Sequence, residues 1–322
     1  MRYRGLGRTG FQVGDIGYGA WGIGGTQWRG GSDDEALLSL RRAMDLGVNL
    51  IDTALAYGDG HSERLVGAAV RAAAGRMYVA TKVPPKNRVW PAKSGTPIAS
   101  VFPYDYIVSC AEESLRNLKL ETIDLLQLHV WTDEWVGCEE WRRAFEDLKR
   151  SGKVRRTGVS ATEHDPDSAL AIMRTGAIDA VQVIYNIFDQ TAEARLFPLA
   201  EELNIGILAR VPLDEGSLAG AIALDTTFPP GDFREHYFRG AERKKQVVER
   251  VAALRRDLGE GVSLPDTALR FCLSHPAVSC VIPGMRTRRH VESNAALSDL
   301  GALPEATLAT LRRHAWDRNF YA

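Results

Sequence analysis

Four cysteines in 322 residues, at positions 110, 138, 272 and 280, are too few and too scattered for a disulfide scaffold. None forms a CxxC pair and no His/Cys cluster has metal-ligand spacing, so neither a zinc site nor a dithiol redox motif is expected. No apolar run reaches the roughly 18 residues that a membrane span needs. Residues Met1 to Gly7 contain no apolar stretch, so a secretory leader is not expected. Scattered reduced thiols then fit a cytoplasmic chain. Charge of one sign is not in excess either: 40 Lys and Arg against 41 Asp and Glu leave a net charge of −1. That balance supplies no global field for nucleic acid or an anionic membrane. No Gly/Ser-rich or charged linker divides the chain, so residues 1–322 are expected to form a single domain. Oligomeric state is not readable.

What the sequence does contain is a repeat of short apolar run, turn and amphipathic helix. The runs at 16–21, 49–52, 77–82, 123–128, 154–160, 180–186, 206–209 and 278–282 read as eight strands. Helical spacing fills 33–46, 61–74, 104–118, 139–151, 165–175, 191–203 and 265–274. Ser32 is placed to cap the first helix with Glu35 completing a capping box, and Gly47 to end it. Strands alternating with helices imply crossover units and a parallel sheet. Eight of them in a chain of this length point to an α/β fold, a closed (β/α)8 TIM barrel. Residues 3–14 read as a small β-hairpin that would plug the N-terminal mouth of the barrel. Two long loops, 83–103 and 219–240, leave C-terminal strand ends, the rim where such barrels keep their sites.

Three neighbouring strands deliver polar residues to that rim. The second ends at Asp52 with Tyr57 five residues on, the third at Lys82 and the fourth at His129. A buried carboxylate beside an ammonium offsets the burial cost of each, so a structural ion pair is one explanation. Acid–base chemistry gives another. A phenol titrates near 10, and a neighbouring Lys⁺ stabilises phenolate and is expected to lower that value. Asp52 would hold Lys82 charged, and His129 would orient a carbonyl toward Tyr57. This set suits protonation of a forming alkoxide, has no nucleophile and no metal ligands, and so needs a hydride from a nicotinamide cofactor.

Gly47-Val48-Asn49-Leu50-Ile51-Asp52-Thr53-Ala54 through Tyr57-Gly58, then His61-Ser62-Glu63, Ala80-Thr81-Lys82, Ile123 to His129, Gly152 to Ser160, Gln182 with Tyr185-Asn186, and Ile282-Pro283-Gly284 through Asn294 follow one another in order. Over nearly the whole chain this series resembles the aldo-keto reductase superfamily. The resemblance implies NAD(P)H-dependent reduction of an aldehyde or ketone, with Tyr57 as general acid, Lys82 and Asp52 tuning it, and His129 orienting the carbonyl. It implies that Ser160 and Gln182 hold the nicotinamide carboxamide, and that Pro212, Leu213, Gly216 and Leu218 belong to the loop over the pyrophosphate. Gly284 to Asn294, with His290 among them, would take the adenosine phosphate end. The sequence departs from the pattern at Ala161, where many relatives have Asn, and at Ser293, where relatives usually have Glu. Arg210 replaces a stacking aromatic residue, a task a guanidinium plane also performs.

The run Arg286-Thr287-Arg288-Arg289 suits a 2′-phosphate, with Arg286 at the matching position, so NADPH is expected over NADH. Trp21, Trp90 and Trp131 are the candidate substrate walls, because aromatics at a barrel mouth grip apolar or sugar-like ligands. Two other readings share the site residues: an NAD-dependent sugar or polyol dehydrogenase, and a nicotinamide-binding regulatory subunit with little turnover.

Overall fold

The computed structural model describes residues 1–73 and 75–321. The chain opens with two antiparallel strands, β1 (Tyr3–Gly5) and β2 (Gln12–Gly14), the hairpin expected from residues 3–14. Eight parallel strands follow in one sheet: β3 (Tyr18–Gly19), β4 (Leu50–Asp52), β5 (Tyr78–Val83), β6 (Ile123–Leu128), β7 (Val154–Ser160), β8 (Ala180–Ile184), β9 (Gly206–Arg210) and β10 (Val278–Val281). From β4 on, each pairs with the strand before it in sequence, and parallel bridges Ile16–Val281 and Gly19–Gly284 join the last strand to the first. The result is the expected (β/α)8 architecture.

Helices α1 (Asp33–Asp45), α2 (His61–Arg71), α3 (Tyr104–Leu118), α4 (Glu139–Arg150), α5 (Leu170–Arg174) and α6 (Leu196–Leu203) connect these strands. The Ser32 hydroxyl accepts from the Glu35 amide, and Gly47 follows the end of α1 at φ 89°. The second helix was expected to run to residue 74; it ends at Arg71, and residue 74 lies outside the described residues. The 165–175 and 191–203 segments each open as a single 3₁₀ turn, so α5 and α6 are shorter than their patterns.

Beyond β9 the chain adds α7 (Phe233–Tyr237), α8 (Gly240–Leu258), α9 (Leu264–Ser274), α10 (Arg288–Leu300) and α11 (Glu305–Arg312). Helix α8 was not anticipated. It buries only Val247, Val251 and Leu254, a stripe too narrow to stand out among its charges.

Alternation along the strands sorts the core into two layers. Apolar residues outside the strands pack under the helices. Inside the barrel, Leu50, Ala80, Leu125, Ala180, Leu208 and Cys280 pack against Leu6, Phe11 and Val13 of the hairpin. The hairpin therefore does close the N-terminal mouth. Two residues further along β4, β5, β6, β8 and β9, on the same inward face, stand Asp52, Lys82, Gln127, Gln182 and Arg210. The barrel interior changes from apolar to polar in one step toward the C-terminal rim.

Candidate active site

Lys82 is fully buried at the end of β5. Its ammonium donates to Asp52 Oδ2 at 2.7 Å, to the Thr53 carbonyl at 2.8 Å and to the Tyr57 hydroxyl at 3.3 Å. Three acceptors satisfy its three protons, which makes the burial of this charge tolerable. Asp52 is held from its other side by the Gln182 amide, which donates to Oδ1 at 2.8 Å. Burial alone would pull Lys82 down. The Asp52 carboxylate and the Tyr57 oxygen outweigh it, so the ammonium is held above its ordinary value.

Tyr57 lies on the turn after β4, and its hydroxyl is the outermost atom of this chain of contacts. Burial raises its pKa, Lys82 lowers it and Asp52 raises it, with a net rise above 10. This corrects the expectation of a lowered value: burial beneath the surrounding rings outweighs the ammonium. At neutral pH the phenol carries its proton, the state a proton donor needs. His129, one residue past β6, sits with its ring centroid 5.6 Å from that of Tyr57. Burial, then Lys82 and Arg210, hold its pKa well below 6.5, so the imidazole is neutral.

Trp21 stacks over Tyr57 at 6.2 Å and meets Phe233 edge-on at 5.0 Å. Trp90 presents an edge to His129 at 5.8 Å and remains 40% exposed. These two rings flank the Tyr57–His129 pair as expected of walls. Trp131 does not. It is fully buried between Trp135 and Trp141, with its N–H given to Asp133 at 3.0 Å, so it offers no surface to a ligand. The strand direction that placed it near the rim turns its ring outward, under the helices.

The residues expected to take a dinucleotide lie along the same rim. Ser160, the last residue of β7, and Gln182, in the middle of β8, are buried and adjacent in register. The Arg210 guanidinium is held by the Ala161 carbonyl at 3.2 Å and by Glu163 at 3.3 Å, and its Nε–H is buried without a partner. Around Pro212 and Leu213 the loop turns tightly, with positive φ at Val211 before them and at Asp214, Glu215 and Gly216 after them, and Leu218 is buried at its end. Ser217 there has a buried hydroxyl that finds no protein partner. The same turn buries an unpaired carboxylate oxygen of Asp214 beside these unpaired groups, so the loop holds buried polar atoms of both kinds that a polar ligand would meet. Arg286 packs 5.7 Å over the Trp28 ring, which Arg234 covers at 4.2 Å, and donates to the Arg29 carbonyl at 2.8 Å. Gly284 is exposed, Asn294 is buried in α10, and His290 is exposed in its first turn. Among the described residues no group of His, Cys, Asp and Glu is arranged to hold a metal. No helix there is long and apolar enough to cross a membrane.

Several residues at the rim escaped the sequence reading. The tail after α11 crosses back: Arg318 forms a buried ion pair with Asp214, and the Tyr321 hydroxyl donates to Glu215 at 2.6 Å. Tyr321 also packs against Phe233 and His164. The signal for this was the aromatic density of residues 316–321, in which Trp316, Phe320 and Tyr321 surround Arg318. Glu163, the partner of Arg210, carried no signal.

The family model described as the aldo/keto reductase family matches residues 15–315. The aldo-keto reductase YhdN of Bacillus subtilis is 32% identical over 311 residues, covering 93% of this chain and 88% of that protein. The NADH-specific methylglyoxal reductase of Escherichia coli is 27% identical, covering 96% of this chain and 97% of that protein. Among solved structures, a glycerol dehydrogenase of Gluconobacter oxydans superposes with a TM-score of 0.77 at 30% identity, covering 98% of this chain and 97% of that one.

Proposed function

From the premise that the chain belongs to the aldo/keto reductase family, we propose the roles of its rim residues and its choice of cofactor. It is an oxidoreductase that reduces a carbonyl group to an alcohol with NAD(P)H. A reduced nicotinamide, when bound, supplies the hydride to the carbonyl carbon.

Tyr57 donates the proton to the carbonyl oxygen as that atom gains charge. The Lys82 ammonium, 3.3 Å from the phenol oxygen, stabilises the phenolate left behind. Asp52 fixes Lys82 and keeps it charged. The neutral His129 donates to the carbonyl oxygen and aims it at Tyr57. Trp21 and Trp90 flank the carbonyl and exclude water. The single observation that carries this reading is the unbroken run Asp52–Lys82–Tyr57 with His129 against the phenol.

NADPH is the preferred cofactor. Support comes from Arg286 and Arg234, both against the Trp28 ring, with Arg288 and Arg289 beginning the next helix. Such a cluster favours a 2′-phosphate over a hydroxyl. Ser160, Gln182 and Arg210 would hold the nicotinamide end, Pro212, Leu213, Gly216 and Leu218 the pyrophosphate, and Gly284, His290 and Asn294 the adenosine end. The glycerol dehydrogenase likeness favours a second reading, alcohol oxidation at the same site. In that direction Tyr57 would act as the base, so the rate of oxidation should rise with pH as the phenolate forms.

Titration with NADPH and with NADH, followed by tryptophan fluorescence, tests the cofactor claim. A panel of aldehydes and ketones that includes methylglyoxal then tests the reaction. Tighter NADPH binding with turnover of a carbonyl is expected. Binding of neither cofactor by the folded protein would refute the reading.

A further inference from the structure

Side chains two apart on a strand share a face, so Leu125 and Gln127 point the same way. His129, one residue past β6, extends the pairing by giving its amide to the Val83 carbonyl at 2.9 Å, and its ring meets Tyr57 and Trp90 at the rim. Leu125 packs inside the barrel with Leu50, Ala80 and Ala180. Gln127 therefore also points inward, one step below His129. It is fully buried, and neither its amide oxygen nor its amide nitrogen has a hydrogen-bond partner. Nδ1 of His129 is likewise buried and unpaired.

The neighbours explain why the amide fits and why nothing nearby serves it. On one side Gln127 pairs in register with Gly158 of β7, where an added Cβ would lie 3.3 Å from Gln127 Cγ and 2.5 Å from the Ala180 carbonyl oxygen. The missing side chain of Gly158 is the space into which the glutamine leans. On the other side Gln127 pairs with Lys82, whose three protons already go to Asp52, Thr53 and Tyr57. Leu or Met would fill the same volume without an unpaired amide. A polar group kept at this depth, against the desolvation cost of each unpaired atom, points to a partner that is not a protein group.

A water is the smallest group that both donates and accepts, as an amide and an imidazole nitrogen together require, and it bridges side-chain atoms that do not meet directly. A neutral imidazole carries one proton, on Nδ1 or Nε2, and only the Nε2–H form leaves Nδ1 as an acceptor. Burial and the positive charges of Lys82 and Arg210 keep this ring neutral, so its tautomer decides what it offers a substrate.

We propose that Gln127 is a positioning residue for His129: through one buried water its amide bonds Nδ1 and fixes the ring as the Nε2–H tautomer. The water donates to Nδ1 and to Gln127 Oε1 and accepts from Gln127 Nε2. Nε2–H is then free to donate to the substrate carbonyl. This assignment rests on the reading that His129 orients that carbonyl.

The test is ¹⁵N NMR of imidazole-labelled protein saturated with NADP⁺, with H129Q identifying the His129 signals. Wild type should show one Nε2–H tautomer across the neutral range. Gln127→Leu should show a tautomer mixture at His129. Its kcat for carbonyl reduction should fall about tenfold, with KM for NADPH within about twofold. Gln127→Met serves in the same way if the leucine variant does not fold. An unchanged tautomer in these variants would overturn the proposal, whatever the effect on kcat. A changed tautomer with unchanged kcat would support the Gln127–His129 link and refute the carbonyl-orienting role on which its purpose depends.

Discussion

The Lys82 ammonium lies 2.7 Å from the Asp52 carboxylate, and both side chains are sealed from solvent. Neither charge is stable alone at this depth, so the pair behaves as one unit. Replacing Lys82 by Met leaves Asp52 as an uncompensated buried carboxylate. The substitution should destabilise the fold by about 3–5 kcal/mol at neutral pH. The double variant Lys82→Met, Asp52→Asn should recover part of that loss. Urea unfolding of the three proteins measures both quantities, and a fully stable single variant would mean that the pair is not coupled in this way.

Arg286 sits over Trp28, whose ring meets Trp21, the ring stacked on Tyr57. Its replacement by Ala removes the guanidinium proposed to meet a 2′-phosphate. NADPH affinity should fall roughly 10- to 100-fold, the worth of one or two charge-assisted bonds. NADH affinity should change by no more than about twofold. Equal losses in the fluorescence titrations would show that Arg286 does not read the phosphate.

Glu215 is pushed up to about 7 by burial, against the hydrogen bond from Tyr321, which lowers it. An acid whose folded value is raised favours folding while both states hold the proton. That contribution is lost as pH rises from the unfolded value of 4.5 through about 7. Stability should therefore decline over that window, and Glu215→Gln should flatten the decline. Thermal melts at a series of pH values check this, and parallel curves for the two proteins would contradict it.

The hairpin plug turns through Gly7, which has φ +49° and would bring a Cβ within 2.2 Å of the Gly206 amide nitrogen. Gly7→Ala should cost about 2 kcal/mol or more, because both the backbone angle and the space forbid it. Gly10, at φ +77° with nothing near its Cβ position, should tolerate Ala at a smaller cost. Denaturant unfolding of the two variants separates steric contact from backbone angle.

The barrel and the four residues at its rim were legible because each follows a local rule. Asp52, Lys82 and His129 stand where apolar strand patterns stop, and strand ends are where this fold gathers its chemistry. Tyr57 was reached from its place five residues past Asp52, on the loop that leaves that strand end. What was not legible depends on return of the chain from far away. Arg318 and Tyr321 meet Asp214 and Glu215 across about a hundred residues, and the aromatic density of 316–321 marks a segment that packs without saying against what. Trp131 failed for a different reason: adjacency to His129 in sequence says nothing about which side of the strand end its ring takes. The sign of the Tyr57 shift also needed the structure, since burial competes with Lys82 and only packing decides the winner.

The most direct measurement is isotope transfer with NADPH deuterated at the transferable nicotinamide position and a turned-over aldehyde or methylglyoxal. Deuterium should appear on the carbinol carbon of the alcohol product with the wild-type protein. It should be all but lost with Tyr57→Phe, whose NADPH binding should stay within about twofold of wild type. Full transfer by Tyr57→Phe, or no deuterated alcohol from a wild type that binds the cofactor, would contradict the account.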